Sequence, residues 1–98
     1  MDFINKDLLF SIKNDNIEKL HFTLKSYKIT SEIMIYILLF SCQMNSKNCL
    51  EYLLINYNYS NNDLDKAIEK AKLFTNIGII NIINLHKTKR IINNINKK

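Results

Sequence analysis

Residues 8–24, LLFSIKNDNIEKLHFTL, decide how the chain is read, because the same layout returns at residues 38–54, LLFSCQMNSKNCLEYLL, and at residues 68–84, IEKAKLFTNIGIINIIN. A shift of 30 residues aligns all three without a gap. Residue type holds along the columns: Leu8, Leu38 and Ile68; Ser11, Ser41 and Ala71; Asn16, Ser46 and Asn76; Leu20, Leu50 and Ile80; Phe22, Tyr52 and Ile82. Self-similarity at a fixed period of this size is the mark of stacked supersecondary units. Within each copy the apolar residues fall three and four apart, as in Leu8, Leu9, Ile12 and then Ile17, Leu20, Leu24, which is the spacing of a helix face.

Between those runs lies a polar knot, "NDN" at 14–16, "MNS" at 44–46 and "TN" at 75–76. Asn, Asp, Ser and Thr bond the nearby backbone and favour caps and turns, so each knot reads as a helix-to-helix junction. The chain has no proline and one glycine, Gly78, and no strict two-residue alternation bounded by turn residues. The prediction is an all-α protein of three stacked helix-turn-helix repeats of period 30. First helices are expected near 4–13, 32–44 and 62–73, and second helices near 16–26, 46–57 and 76–86. The units span about 1–30, 31–60 and 61–86, one repeat domain over 1–86, with a basic C-terminal tail or short capping helix over 87–98.

The unit resembles an ankyrin repeat, in which a first helix carries a leucine and a small residue three positions on, followed by a tight turn and a second helix opening with an acid. Leu8, Ser11, the turn at Asp15, Glu18, Leu20, Phe22 and Leu24 take the matching places. The resemblance is to the degenerate, asparagine-rich ankyrin repeats of amoebae and large DNA viruses. The family's Thr-Pro-Leu-His opening is replaced by "KDLL", "YILL" and "KAIE", its turn glycine by Asp15, Asn45 and Thr75, and its usual 33 residues by 30. Shortened or missing β-hairpin fingers follow, with loops in their place, and "TSEIMIYILLFSCQM" reads as a long first helix capped by Thr30 or Ser31.

Composition bounds the rest. The 98 residues suit one globular domain, 47% apolar, and no run of 18 apolar residues offers a membrane span. Ile, Asn and Lys number 17, 15 and 13, which points to an A+T-rich genome rather than to any chemistry. The opening "MDFINKDLLF" carries two acids where a secretory signal carries bases, so a soluble intracellular, cytoplasmic protein is expected, in the host cytoplasm if viral. Cys42 and Cys49 make neither a disulfide framework nor a zinc set and are expected to be small packed residues in a reducing compartment. Residues 1–69 carry a net charge of −2 and residues 70–98 carry +7. A one-sign C-terminus either solubilises or attracts anions.

No catalytic constellation is expected. Ala71 shares the column of Ser11 and Ser41, which marks a position that wants a small side chain rather than a nucleophile, and His21 and His86 lie apart. A non-enzymatic protein-protein interaction module, without cofactor or metal, is the expectation, possible roles being an inhibitor or adaptor acting on a host or regulatory protein. The resemblance places partner contacts at the ends of the first helices, on Lys13, Asn14, Gln43, Met44, Leu73 and Phe74. The inter-repeat loops add Tyr27, Tyr57 and Tyr59 as aromatic anchors. Met44, Leu73 and Phe74 would form an exposed apolar strip unless the first helices pack together there. Neither end of the stack reads as capped: Ile79, Ile80, Ile82, Ile83 and Leu85 surround more of a helix than one face can bury. Either Ile91, Ile92 and Ile95 fold back over them or a second copy does, giving a homo-oligomer. The rival function is an accessory nucleic-acid binder with Lys87, Lys89, Arg90, Lys97 and Lys98 as phosphate contacts, its binding weak and non-specific.

Overall fold

A computed structural model describes residues 5–96. Among them the chain forms six α-helices and no strand: α1 Lys6–Lys13, α2 Ile17–Ser26, α3 Ser31–Gln43, α4 Lys47–Asn56, α5 Asn61–Leu73 and α6 Ile77–Asn96. Their starts follow the capping chemistry of the sequence. The Asn5 side chain accepts from the Asp7 N–H at 2.7 Å, Asn16 from Lys19 at 3.1 Å and Thr30 from Ile33 at 3.2 Å. Ser60 and Asp63 close a reciprocal capping box at 3.0 and 3.1 Å.

The junctions explain why polar residues stand where glycine is usual. Asp15, Asn45 and Thr75 sit in the left-handed region, with φ of 51°, 57° and 53°. The residue after each donates back across the turn: Asn16 N–H to Ser11 O at 2.8 Å, Ser46 to Ser41 O at 3.0 Å and Asn76 to Ala71 O at 2.9 Å. This is the Schellman closure, which satisfies carbonyls that the ending helix leaves open. Short polar side chains tolerate the left-handed conformation better than apolar ones, while Thr75, being β-branched, sits there under strain.

The six helices form two layers. α1 packs on α3 and α3 on α5; α2 packs on α4 and α4 on α6; and each first helix pairs with the helix that follows it. Leu8, Ile12, Leu20, Ile37, Leu38, Leu50, Leu53, Leu64, Ile79 and Ile83 fill the space between them at 0% exposure. Ser11, Ser41 and Ala71 are equally closed, and the two hydroxyls donate to Asp7 O at 2.6 Å and Ile37 O at 2.8 Å within their own helices. The small side chains admit close helix approach without leaving a buried polar atom unpaired.

Polar bonds also tie one junction to the next. Ser46 donates to Ile12 O, and Asn76, 30 residues on, donates to Cys42 O at 2.7 Å and Gln43 O at 3.3 Å. Having turned its hydroxyl to Ile12, Ser46 makes no side-chain cap for α4. The Asp15 carboxylate substitutes, accepting from the N–H of Cys49 at 2.8 Å and of Asn48 at 3.3 Å and from Asn48 Nδ2 at 3.0 Å.

Helix α6 departs from expectation. Instead of stopping near residue 86, it continues to Asn96, so there is no separate tail or returning cap over its described part. No proline or glycine interrupts the chain there, and the extension is fastened: Lys87 Nζ meets Asp65 at 2.6 Å, and Arg90 donates to Asn58 Oδ1 at 2.9 Å, to Asn61 Oδ1 at 3.4 Å and to Tyr59 O. Ile91, Ile92 and Ile95 are 50–63% exposed and do not fold back over the third unit as a separate cap. Nor does the end of the fold need them to. Ile79 and Ile83 are buried, Ile80 and Ile82 half-buried and Leu85 exposed, while Lys72 and Asn84 stand exposed 30 residues after the buried Cys42 and Leu54. At the other end, exposed Asp7 and half-buried Lys19, 30 residues before buried Ile37 and Cys49, pair at 3.8 Å. Both end faces therefore present some polar groups where the interior presents apolar ones, while Ile68 and Ile80 keep the C-terminal end partly apolar. The links at 27–30 and 57–60 are short and strand-free.

Candidate protein-binding face

The layer of first helices turns one side away from the second layer, and on it lies a groove between α3 and α5. A hollow of about 310 Å³ is lined by Leu39, Asp65, Lys66, Glu69, Lys70 and Leu73. A smaller one of about 120 Å³ is lined by Tyr36, Leu39, Phe40, Gln43 and Lys70. Leu39 and Lys70 belong to both, so the two run together. Helical spacing creates the floor: Tyr36, Leu39, Phe40 and Gln43 recur at three- and four-residue intervals on one side of α3. The Tyr36 and Phe40 rings stack at 6.1 Å with planes 21° apart, which fixes both side chains. On α1, Phe10 is 55% exposed and carries the Lys19 ammonium 5.0 Å from its ring centre.

The residues predicted for partner contact divide. Leu73 lines the groove at 79% exposure, Phe74 follows it at 44%, and Gln43 lines the smaller hollow. Lys13 and Asn14 are exposed at the end of α1, where Asn14 Nδ2 donates to Phe10 O at 2.8 Å. Met44 is half-buried and packs against the core, so the apolar strip consists of Leu73 and Phe74 without it. Tyr27 is an exposed residue on the first loop, away from the groove-lining side chains. Tyr57 packs partly on the core. Tyr59 is no surface anchor: it is 4% exposed, with its hydroxyl donating to Met34 O at 2.9 Å, because the loop turns its ring inward to close the core beneath α3. Burial pushes its hydroxyl well above the ordinary tyrosine range, with smaller contributions from Tyr57, Asp63 and Cys42.

Sequence reasoning missed Phe10, Tyr36, Leu39, Phe40, Lys66 and Lys70. Tyr36, Leu39 and Phe40 lie seven, four and three residues before Gln43, so extending the face backward by helical spacing from a residue already singled out would have found them.

Of the cations assigned to the rival function, Lys87 and Arg90 are tied to Asp65 and to the α4–α5 loop, Lys89 is exposed, and Lys97 and Lys98 lie outside the described residues. His86 is half-buried with its Nε2 closed from solvent and unbonded among the described residues. Burial first, then Arg90 and Lys89, holds its pKa below the ordinary value. Both cysteines are free and buried, with thiols pushed up to about 12; burial is the cause in Cys42 and the leading cause in Cys49, where Asp15 adds to it. Among the described residues no group of three or more His, Cys, Asp or Glu could hold a metal ion, and no helix is long and apolar enough to cross a membrane. On the second layer His21 Nδ1 and Tyr52 OH pair at 2.5 Å with rings edge to face. Comparison with protein families, with curated proteins and with solved structures finds no significant match to this chain.

Proposed function

We propose that the chain is a small, non-enzymatic, ankyrin-like module of three helical units that binds another protein along its first-helix face. The observation that carries this reading is the α3–α5 groove, apolar along Tyr36, Leu39, Phe40 and Leu73 and open to solvent. Exposed apolar side chains gathered along one groove make it the candidate interaction face. The repeat assignment is supported by the left-handed residues at 15, 45 and 75 and by the paired bonds Ser46 to Ile12 and Asn76 to Cys42, both at intervals of 30.

Asp7, Lys19, Lys72 and Asn84 weigh against self-assembly through bare stack ends, while Leu85, Ile91, Ile92 and Ile95 leave an exposed apolar stripe on α6 that a second copy could cover. The nucleic-acid reading loses Lys87 and Arg90 as freely available phosphate contacts. Two experiments decide between the classes. Affinity capture from the native cell, read by mass spectrometry, should recover a protein that the doubly substituted Tyr36→Asp/Leu73→Asp chain fails to hold. A salt titration on duplex DNA should show binding that disappears near physiological salt, because each phosphate contact contributes a slope of about −0.9 in log K against log salt. Tight DNA binding at 200 mM salt, with no captured protein, would overturn the proposal.

A further inference from the structure

The groove is apolar along its floor and charged along its wall, where Asp65 and Glu69 alternate with Lys66 and Lys70. Lys66 and Lys70 stand one turn apart on α5 and both line it. Like charges four residues apart on a helix repel weakly, so an anion placed across both relieves that repulsion. The acids nearest in sequence do not serve. Asp65 is bonded to Lys87 at 2.6 Å and Glu69 to Lys72 at 3.6 Å, and among the described residues neither Lys66 nor Lys70 has an ion pair. The wall therefore offers two ammonium groups beside a floor of Leu39, Leu73 and the Tyr36–Phe40 stack.

Resting on the protein-binding reading above, we propose that the groove takes an acidic segment of the partner protein, one in which Asp or Glu stands close to a Leu or Ile. The aliphatic side chain enters between Leu39 and Leu73, and the carboxylate bridges Lys66 and Lys70. Lysine stems pack along apolar surface while their heads reach for charge, so the same two residues contribute to both contacts. Lys70 is half-buried and borders both hollows, so its stem is placed to pack along the apolar floor while its head stays available to a carboxylate.

The test is selection of a random 12-residue phage-displayed peptide library on the full chain. Recovered peptides should be enriched in Asp or Glu near Leu or Ile. Changing the peptide's acid to Gln, or the protein's Lys66→Glu/Lys70→Glu, should weaken binding at least tenfold. Lys66→Arg/Lys70→Arg should hold it within about threefold, and unchanged circular dichroism should accompany every variant compared. Recovery of neutral or basic peptides, acidic peptides indifferent to the Lys→Glu change, or no enrichment at all would each overturn the acidic assignment. The two levels separate cleanly. Neutral peptides abolished by Tyr36→Asp/Leu73→Asp would sink the acidic partner and leave the groove as the binding face, whereas peptides indifferent to both sets of substitutions would sink both.

Discussion

Replacing Asp15 by glycine removes a side chain from a position whose backbone favours glycine, and we expect it to destabilise the protein. At φ 51° the glycine relieves strain, a gain that for Asp is small because Asp tolerates this region. Against it stand the bonds the carboxylate accepts from Cys49 N–H, Asn48 N–H and Asn48 Nδ2 at 2.8, 3.3 and 3.0 Å. Those two N–H groups belong to the first turn of α4, which has no cap of its own because Ser46 bonds to Ile12 O instead. Loss of a helix cap costs about 0.5–2 kcal/mol, and bonds to a charged acceptor run higher; since Asp15 is half-buried we discount toward a net loss of about 1–2 kcal/mol. For a chain of this size that is a fall of roughly 4–16 °C in Tm. Thr75→Gly is the control. Thr75 occupies the same conformation, at φ 53°, with a β-branched side chain, so relief of roughly 1 kcal/mol should raise stability. Urea unfolding followed by circular dichroism reads both. If Asp15→Gly were neutral or stabilising, the Asp15 bridge to α4 would not be the support described above.

Three further outcomes follow from the packing and the titrating groups. Ser41→Leu, at a closed position, should cost ~1–3 kcal/mol or more in urea unfolding through overpacking. Cys42 and Cys49, with thiols at about 12, should resist a disulfide exchange reagent at pH 8 in the native protein and react fully in denaturant. His86 has a folded pKa below its ordinary 6.5, so the unfolded chain takes up a proton that the folded chain resists. Stability should therefore be complete above the ordinary histidine range and decline as pH falls through it toward the folded value, and His86→Gln should flatten that decline.

Much of the fold could be read from the chain because its signals are local. The caps Asn16, Thr30 and Ser60 and the knots at 15, 45 and 75 act on backbone a few residues away, so helix boundaries near them were legible to within a residue or two. The end of α6 was not. Its expected stop came from the length of the other second helices, whereas the sequence after Asn84 holds no stop signal, and Lys87 and Arg90 find partners distant in sequence that hold the extension down. The binding face was half legible for a similar reason. Leu73 and Gln43 follow from their place in the unit, but whether a loop aromatic faces water depends on what it packs beneath. Tyr59 reaches Met34, 25 residues back, and Met44 turns onto the core. Of the two pairings that leave Lys66 and Lys70 to face the groove, Glu69 with Lys72 follows from helical spacing, whereas Asp65 with Lys87 is a product of tertiary structure.

The measurement that bears most directly on the protein-binding claim is the affinity of the captured partner for three chains: the native protein, Tyr36→Asp/Leu73→Asp on the groove, and Ile91→Asp/Ile95→Asp on the exposed stripe of α6. All four substituted residues are substantially exposed, so folding should survive in each, and circular dichroism verifies it. Binding at least tenfold weaker for the groove variant, with the α6 variant unchanged, is the predicted result. Native affinity in the groove variant together with loss in the α6 variant would contradict the account and move the interface to the end of α6.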